Sequence, residues 1–272
     1  MKHAVKSMLK VDLRRMFKSR TFYILLACAL LIPIVMTVML TMMDGQEQVN
    51  PQTGEVTIME GPESAWENIG MLPSENAAKM PEAEADSMAA VGGMDVMAMC
   101  NINMMYMLVC VFVCLFISDD FRSGYAKNLF TVRAQKGNYV VSKTVAGFIT
   151  GALMLILYFI GAMLSGAMCG LSFAFAGSMS AFSIVMCLLS KIFLMLVFVS
   201  IFTVIAIAAK QKAWLSICGS LGGGMLLFMM VGMITPLTAT PIHVILCAVG
   251  GLLFAFGLGA ISKTILNKTS LV

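Results

Sequence analysis

Sulfur is the first candidate for chemistry in this chain. Met97, Cys100, Met104 and Met107 fall at i, i+3, i+7 and i+10, one stripe on a helix, and soft thioether and thiol donors of this kind suit Cu(I). Methionine is common throughout, 27 of 272 residues, so the stripe also reads as adaptable apolar packing. Asn101 and Asn103 stand in the same run, close to Tyr106. Bare amides avoid lipid, and these three residues are expected to line a cavity or translocation path.

Other reactive groups are sparse. The histidines are His3, in a basic leader, and His243, so no cluster points to hydrolytic or metal chemistry. The 8 cysteines lie in or beside apolar runs without a CxxC pair, which argues against a disulfide or zinc framework. No GxxxxGK[ST] phosphate loop occurs, and the run Gly222, Gly223, Gly224 is followed by no lysine. No catalytic, cofactor-binding or metal-ligating residue is assigned to the chain.

The stretch SDDFRSGYAKNLFTVRAQKGNYVVSK, Ser118 to Lys143, sets two adjacent acids, five cations and a glycine between two apolar runs. An insert of this length is too short for a domain. It suits a single short helix that lies against the membrane and docks on a soluble partner. Gly124 allows a turn, Tyr125 to Val132 can form two helical turns, and Leu129 with Phe130 gives them an apolar tip. The plainer alternative is a solvated basic loop that only sets topology.

Membrane-spanning helices must position these residues. The chain is 60% hydrophobic and 12% charged, with a mean hydropathy of +0.92, where a soluble domain carries about 25% charged residues. The fold class expected is an all-α membrane protein with six transmembrane helices. Each span needs roughly 20 apolar residues, and the runs at 21–43, 96–118, 144–166, 186–209, 214–235 and 242–262 supply them. Residues 1–20 read as a cytoplasmic amphipathic helix, 44–95 as an external acidic loop or small cap, 119–143 as a cytoplasmic segment, 167–185 as an outer re-entrant or interfacial piece, and 263–272 as a cytoplasmic tail.

Charge sets the orientation, because Lys and Arg near span ends resist translocation. Of 18 cations, 16 fall on alternate loops: seven before the first span, five from Arg122 to Lys143, then Lys210, Lys212, Lys263 and Lys268. Both termini are therefore expected in the cytoplasm. Eleven of the 14 acids lie between Asp44 and Asp95, which with Lys79 gives that loop a formal charge of −10 (11 acids less one lysine). Within it QVNPQTGEVTIMEG reads as strand, turn and strand, and SENAAKMPEAEADSMAA reads as helical.

The leader places Val5, Met8, Leu9, Leu13, Met16 and Phe17 against Lys2, Lys6, Lys10, Arg14 and Lys18, a basic amphipathic pattern suited to the inner leaflet. The spans show no interior carboxylate, which weighs against a proton or sodium motor. Lys191 stands 19 residues before Lys210, about 28 Å along a helix, and is expected to snorkel to the outer headgroups. Small residues four apart, such as Gly147 with Gly151 and Gly161 with Ser165, permit close helix approach.

In LKVDLRRMFKSRTFYILL (Leu9 to Leu26), in DDFRSGYAKNLFTVRAQKGNYVVSK (Asp119 to Lys143) and in its six-span layout, the sequence resembles the permease subunits of type-2 ABC transporters, a bacterial family that includes drug and antimicrobial-peptide exporters. It departs from many members in having Asp at Asp119 and Asp120 rather than Glu, Tyr125 rather than Thr after the glycine, and RAQKG without a proline. The resemblance implies a non-enzymatic permease in the cell membrane. Its partners would be two copies of a separate ABC ATPase that binds ATP and Mg, together with a second permease copy or a related permease, and no nucleic acid. It makes 119–143 a coupling segment, with Asp119, Asp120, Arg122, Gly124, Tyr125, Leu129, Phe130, Arg133 and Lys136 as coupling residues. The cargo it implies is a drug, antimicrobial peptide or lipid-like amphiphile, most often exported. Two rival readings are a permease for metal or cofactor maturation that uses the outer methionines, and a membrane scaffold or peptide sensor that transports nothing.

Overall fold

The computed structural model of the chain describes residues 2–45, 47–49, 56–58, 62, 64–66, 101–132, 136–175 and 180–268. Among them are eight helices and one two-stranded ladder: α1 (Lys2–Lys18), α2 (Arg20–Met43), β1 (Glu47–Val49), β2 (Val56–Ile58), α3 (Met104–Arg122), α4 (Tyr125–Val132), α5 (Lys136–Met168), α6 (Ala181–Ala209), α7 (Ala213–Ile234) and α8 (Pro241–Lys268). Six of them, α2, α3 and α5 to α8, are long and apolar enough to cross a membrane. The chain is an all-α membrane protein. The one ladder among the described residues is the short antiparallel pair of β1 and β2, with Glu47 opposite Ile58 and Val49 opposite Val56. The helix read over SENAAKMPEAEADSMAA lies outside the described residues, as do Met97 and Cys100 of the sulfur stripe.

Helix α6 is the hub, packed against α3, α5, α7 and α8, while α2 lies along α5. The buried core runs through α3, α5 and α6, with Tyr106, Phe112, Tyr158, Phe198 and Phe202 among its largest side chains. Small residues bring the helices together. A Cβ on Gly161 would stand 2.5 Å from the Leu30 carbonyl oxygen, so α2 and α5 can touch only because that side chain is missing. Gly147 and Gly151 make equally close approaches to Val113, Val199 and Met195. Outward faces of α2, α7 and α8 carry exposed apolar side chains such as Ile24, Leu226, Met233, Leu253 and Phe256, as lipid-facing helices do.

Two segments differ from the sequence reading. The polar stretch from Lys136 to Lys143 is not part of a loop but the first two turns of α5, because Tyr139, Ser142 and Lys143 are buried and find partners on other helices. The piece read as re-entrant or interfacial, 167–185, is shortened at both ends: α5 runs on to Met168, and α6 begins at Ala181 behind a capping box in which Ser180 and Ser183 satisfy each other's backbone N–H. Between them, Ser172 bridges to Ser64, and Trp66 stacks on Phe175 at 5.5 Å.

Candidate functional site

One end of the bundle gathers α1, the end of α3, α4, the start of α5 and the end of α8, where the Lys136 ammonium donates to the Leu266 carbonyl at 2.7 Å. In α1, Met8, Asp12 and Met16 recur every fourth residue and all three are buried. An acid thus sits in the middle of the apolar stripe of a basic helix. Asp120, one residue past exposed Asp119, is fully buried at the last turn of α3.

These two carboxylates meet two cations. The Lys143 ammonium lies 2.8 Å from Asp12 and 2.7 Å from Asp120, and the Arg15 guanidinium lies 2.7 Å from Asp120 and 3.8 Å from Asp12. Tyr139 donates its hydroxyl to Asp120 at 3.0 Å, and Ser142 donates to Asp12 at 2.5 Å. Aromatic faces close the cluster: Phe116 is 3.9 Å from the Lys143 ammonium, and Tyr125 is 4.3 Å from the Arg15 guanidinium. Two acids and two bases balance, as buried charges must. Burial by itself would lower the Arg15 pKa, but the attraction of Asp120 and Asp12 outweighs it and the value is raised. Burial, reinforced by Asp12, pushes the Tyr125 hydroxyl up, and Arg15 only partly offsets this, so Tyr125 stays neutral.

Helix α4 hangs from this cluster. Gly124 (φ +74°) turns the chain out of α3, and α4 starts at the next residue. Its exposed residues are Lys127, Asn128 and Thr131, with Asp119 and Arg122 exposed beside it. Leu129 and Phe130 are half-buried against the core, and the Phe130 ring meets Tyr139 edge-on at 5.3 Å. The apolar tip expected from the sequence is therefore partly turned inward. Asp120 does not face solvent with its neighbours, and the expectation that the spans hold no interior carboxylate is corrected by it: α3 runs unbroken past Ser118 and carries Asp120 into the protein. Arg133 lies outside the described residues. Asp12, Tyr139, Ser142 and Lys143 were not among the residues singled out. The signal for Asp12 was there: it is the one acid before Asp44, placed four residues from Met8 and Met16.

The opposite end has a second polar centre. Asn101, Asn103 and Tyr106 are all buried, and two of them converge on Lys191. The Lys191 ammonium donates to Asn103 Oδ1 at 2.8 Å and to Thr235 Oγ1 at 2.9 Å, while Tyr106 donates its hydroxyl to the Lys191 carbonyl at 2.9 Å. Lys191 is 1% exposed. The snorkelling expectation is thus corrected, since polar partners on α3 and α7 hold the ammonium inside the bundle. Among the described residues the seven cysteines are free thiols, and no group of three or more His, Cys, Asp or Glu side chains could hold a metal ion.

The family profile described as ABC-2 family transporter protein matches residues 67–226, more than half of the chain, from the segment that follows Trp66 through α3 to α6 and into α7. No curated protein matches the chain, and no solved structure matches it. The profile spans both polar centres except for α1 and the end of α7, and the six apolar helices agree with it. The chain belongs to the ABC-2 family of membrane transporter proteins.

Proposed function

We propose that the chain is one permease half of an ATP-driven exporter of amphipathic compounds, drugs, peptides or lipid-like molecules, and that α4 is where a separate ATPase acts on it. The observation that carries this reading is the mounting of α4. A short helix is set off by Gly124 at the end of an unbroken core helix, with Arg15 and Lys143 locking that end to α1 and α5. Such a mounting moves with the bundle rather than flexing like a loop. A push on α4 then passes to α1, α3 and α5 together.

The basic end lies in the cytoplasm in this reading, which the distribution of cations supports. Two ATPases, each binding ATP with Mg, meet the α4 helices of two permease halves, which are copies of this chain or relatives. The exposed apolar faces of α2, α7 and α8 leave room for lipid and for the second half.

The test uses the exposed face of α4, whose substitution leaves the core alone. Lys127→Glu with Thr131→Arg should abolish co-purification with the partner ATPase, or abolish substrate-stimulated ATP hydrolysis, while the permease itself is produced and folded as before. Leu129→Ala with Phe130→Ala should have the same effect, accompanied by some loss of stability because both side chains are half-buried. Unchanged assembly, stimulation and transport in both variants would reduce α4 to a topology signal.

A further inference from the structure

Lys191 is a buried ammonium, 1% exposed, that meets no counter-charge among the described residues. Among the described residues no carboxylate reaches it, and its two acceptors are neutral oxygens. The basic-end cluster shows the contrast, because there each cation lies against two carboxylates. An isolated cation in a membrane-embedded core is costly, and it persists where function needs it.

The neighbouring amide shows what is missing. A lysine can only donate, so the Asn103 atom that faces it must be the carbonyl oxygen, which leaves the amide nitrogen on the same planar group turned elsewhere. That nitrogen, Asn103 Nδ2, is buried and has no hydrogen-bond partner. Thr235 gives its own proton to the Val231 carbonyl at 2.7 Å, so it too faces Lys191 as an acceptor. Among the described residues, one ammonium proton of Lys191 and the amide protons of Asn103 therefore have no acceptor, on two groups joined by the Oδ1 contact.

Position adds the direction of approach. Asn103 caps the start of α3 and Thr235 caps the end of α7, so Lys191 stands where two helices stop. Helix α6 continues past this level by ten residues, about 15 Å, to Ala181. Just beyond, the α7–α8 turn folds Leu237 and Ala239 over the bundle, and Met233 and Ile242 nearby expose apolar side chains to the surroundings.

We propose that Lys191 and the Asn103 amide form a receptor for the anionic head, carboxylate or phosphate, of an amphiphile whose chain lies along the apolar surface of α7 and α8. The proposal rests on reading the bundle as a substrate pathway and adds the charge of the head group. The same head-group chemistry can come from a transported single-chain amphiphile or from a membrane phospholipid.

The experiment measures binding to the purified full-length protein and does not need the ATPase, so it fails or succeeds separately from the docking of α4. Dodecyl phosphate and dodecanoate are the probes, with dodecyl maltoside as the uncharged control. Both anions should bind and raise the melting temperature of the wild type. Lys191→Met should weaken that binding at least tenfold while the melting temperature without ligand holds or rises, because a buried uncompensated charge has been removed. Asn103→Asp supplies the missing carboxylate from within, so it should raise the melting temperature without ligand and also weaken anion binding at least tenfold. Nanodiscs distinguish the sources: stabilisation by phosphatidylglycerol over phosphatidylcholine assigns the site to lipid, and stabilisation by the single-chain probes alone assigns it to cargo. The proposal is overturned if the anions bind no better than dodecyl maltoside. It is equally overturned if both variants leave anion binding intact and simply lower the melting temperature, which would make Lys191 a tie between helices.

Discussion

At the scale of single residues, the basic-end cluster is held by balance, and its energetics follow from that. Lys143→Met leaves Asp12 and Asp120 facing each other with Arg15 alone, and breaking a buried pair in this way costs about 3–5 kcal/mol. Adding Asp12→Asn restores one acid against one base and should recover at least half of the loss. Unfolding midpoints of the single and double variants in detergent check this, and equal losses in both would show that the charges do not interact. The sequence displayed these residues without their pairing. Asp12 and Lys143 stand 131 positions apart, and no local pattern connects them. Lys191 was visible as an anomaly within an apolar run, but its helical distance from Lys210 fitted snorkelling equally well. Only the convergence of α3 and α7 on it decides the matter.

At the scale of elements, hydropathy marked the six long apolar helices, and the two helical turns expected over Tyr125 to Val132 match α4. The start of α5 was not legible, because polar residues that are satisfied by tertiary partners look like a loop when those partners are unseen. Two glycines test the elements themselves. Gly124 has open space where a side chain would go, so only its backbone conformation is at stake. Gly124→Val should cost roughly 1–2 kcal/mol at that turn, and Gly124→Asn much less. Faster amide exchange through α4 in the valine variant alone is the expected reading. Gly161→Val, by contrast, drives a methyl-bearing carbon into the Leu30 carbonyl and should cost about 1–3 kcal/mol by prising α2 from α5. Gly257→Ala in α8, where nothing stands within 4 Å, should be neutral or stabilising by up to about 1 kcal/mol. Thermal melts of the two variants side by side provide the comparison.

At the scale of the whole molecule, the six-helix layout was within reach of the sequence because hydropathy survives without any knowledge of packing, and the family was within reach through the resemblance carried by Leu9 to Leu26, Asp119 to Lys143 and that layout. The orientation is testable with impermeant thiol reagents on a cysteine-depleted background. Thr238→Cys, exposed in the α7–α8 turn, should label on intact cells, and Ser123→Cys, exposed beside α4, only after permeabilisation. The reverse pattern would invert the protein. The length of α5 has a mechanical consequence. Its 33 residues make a rod of about 50 Å, some 20 Å longer than the hydrocarbon layer is thick. Near one end Lys143 is clamped to Asp12 and Asp120; near the other, Gly166 lies against Ala65, in the short segment that reaches Trp66. Clamped at Lys143, the rod turns a tilt of roughly 5° into a displacement of about 3 Å at Gly166, about 35 Å away. The segment around Ala65 and Trp66 is thereby joined to the basic end through a single continuous helix.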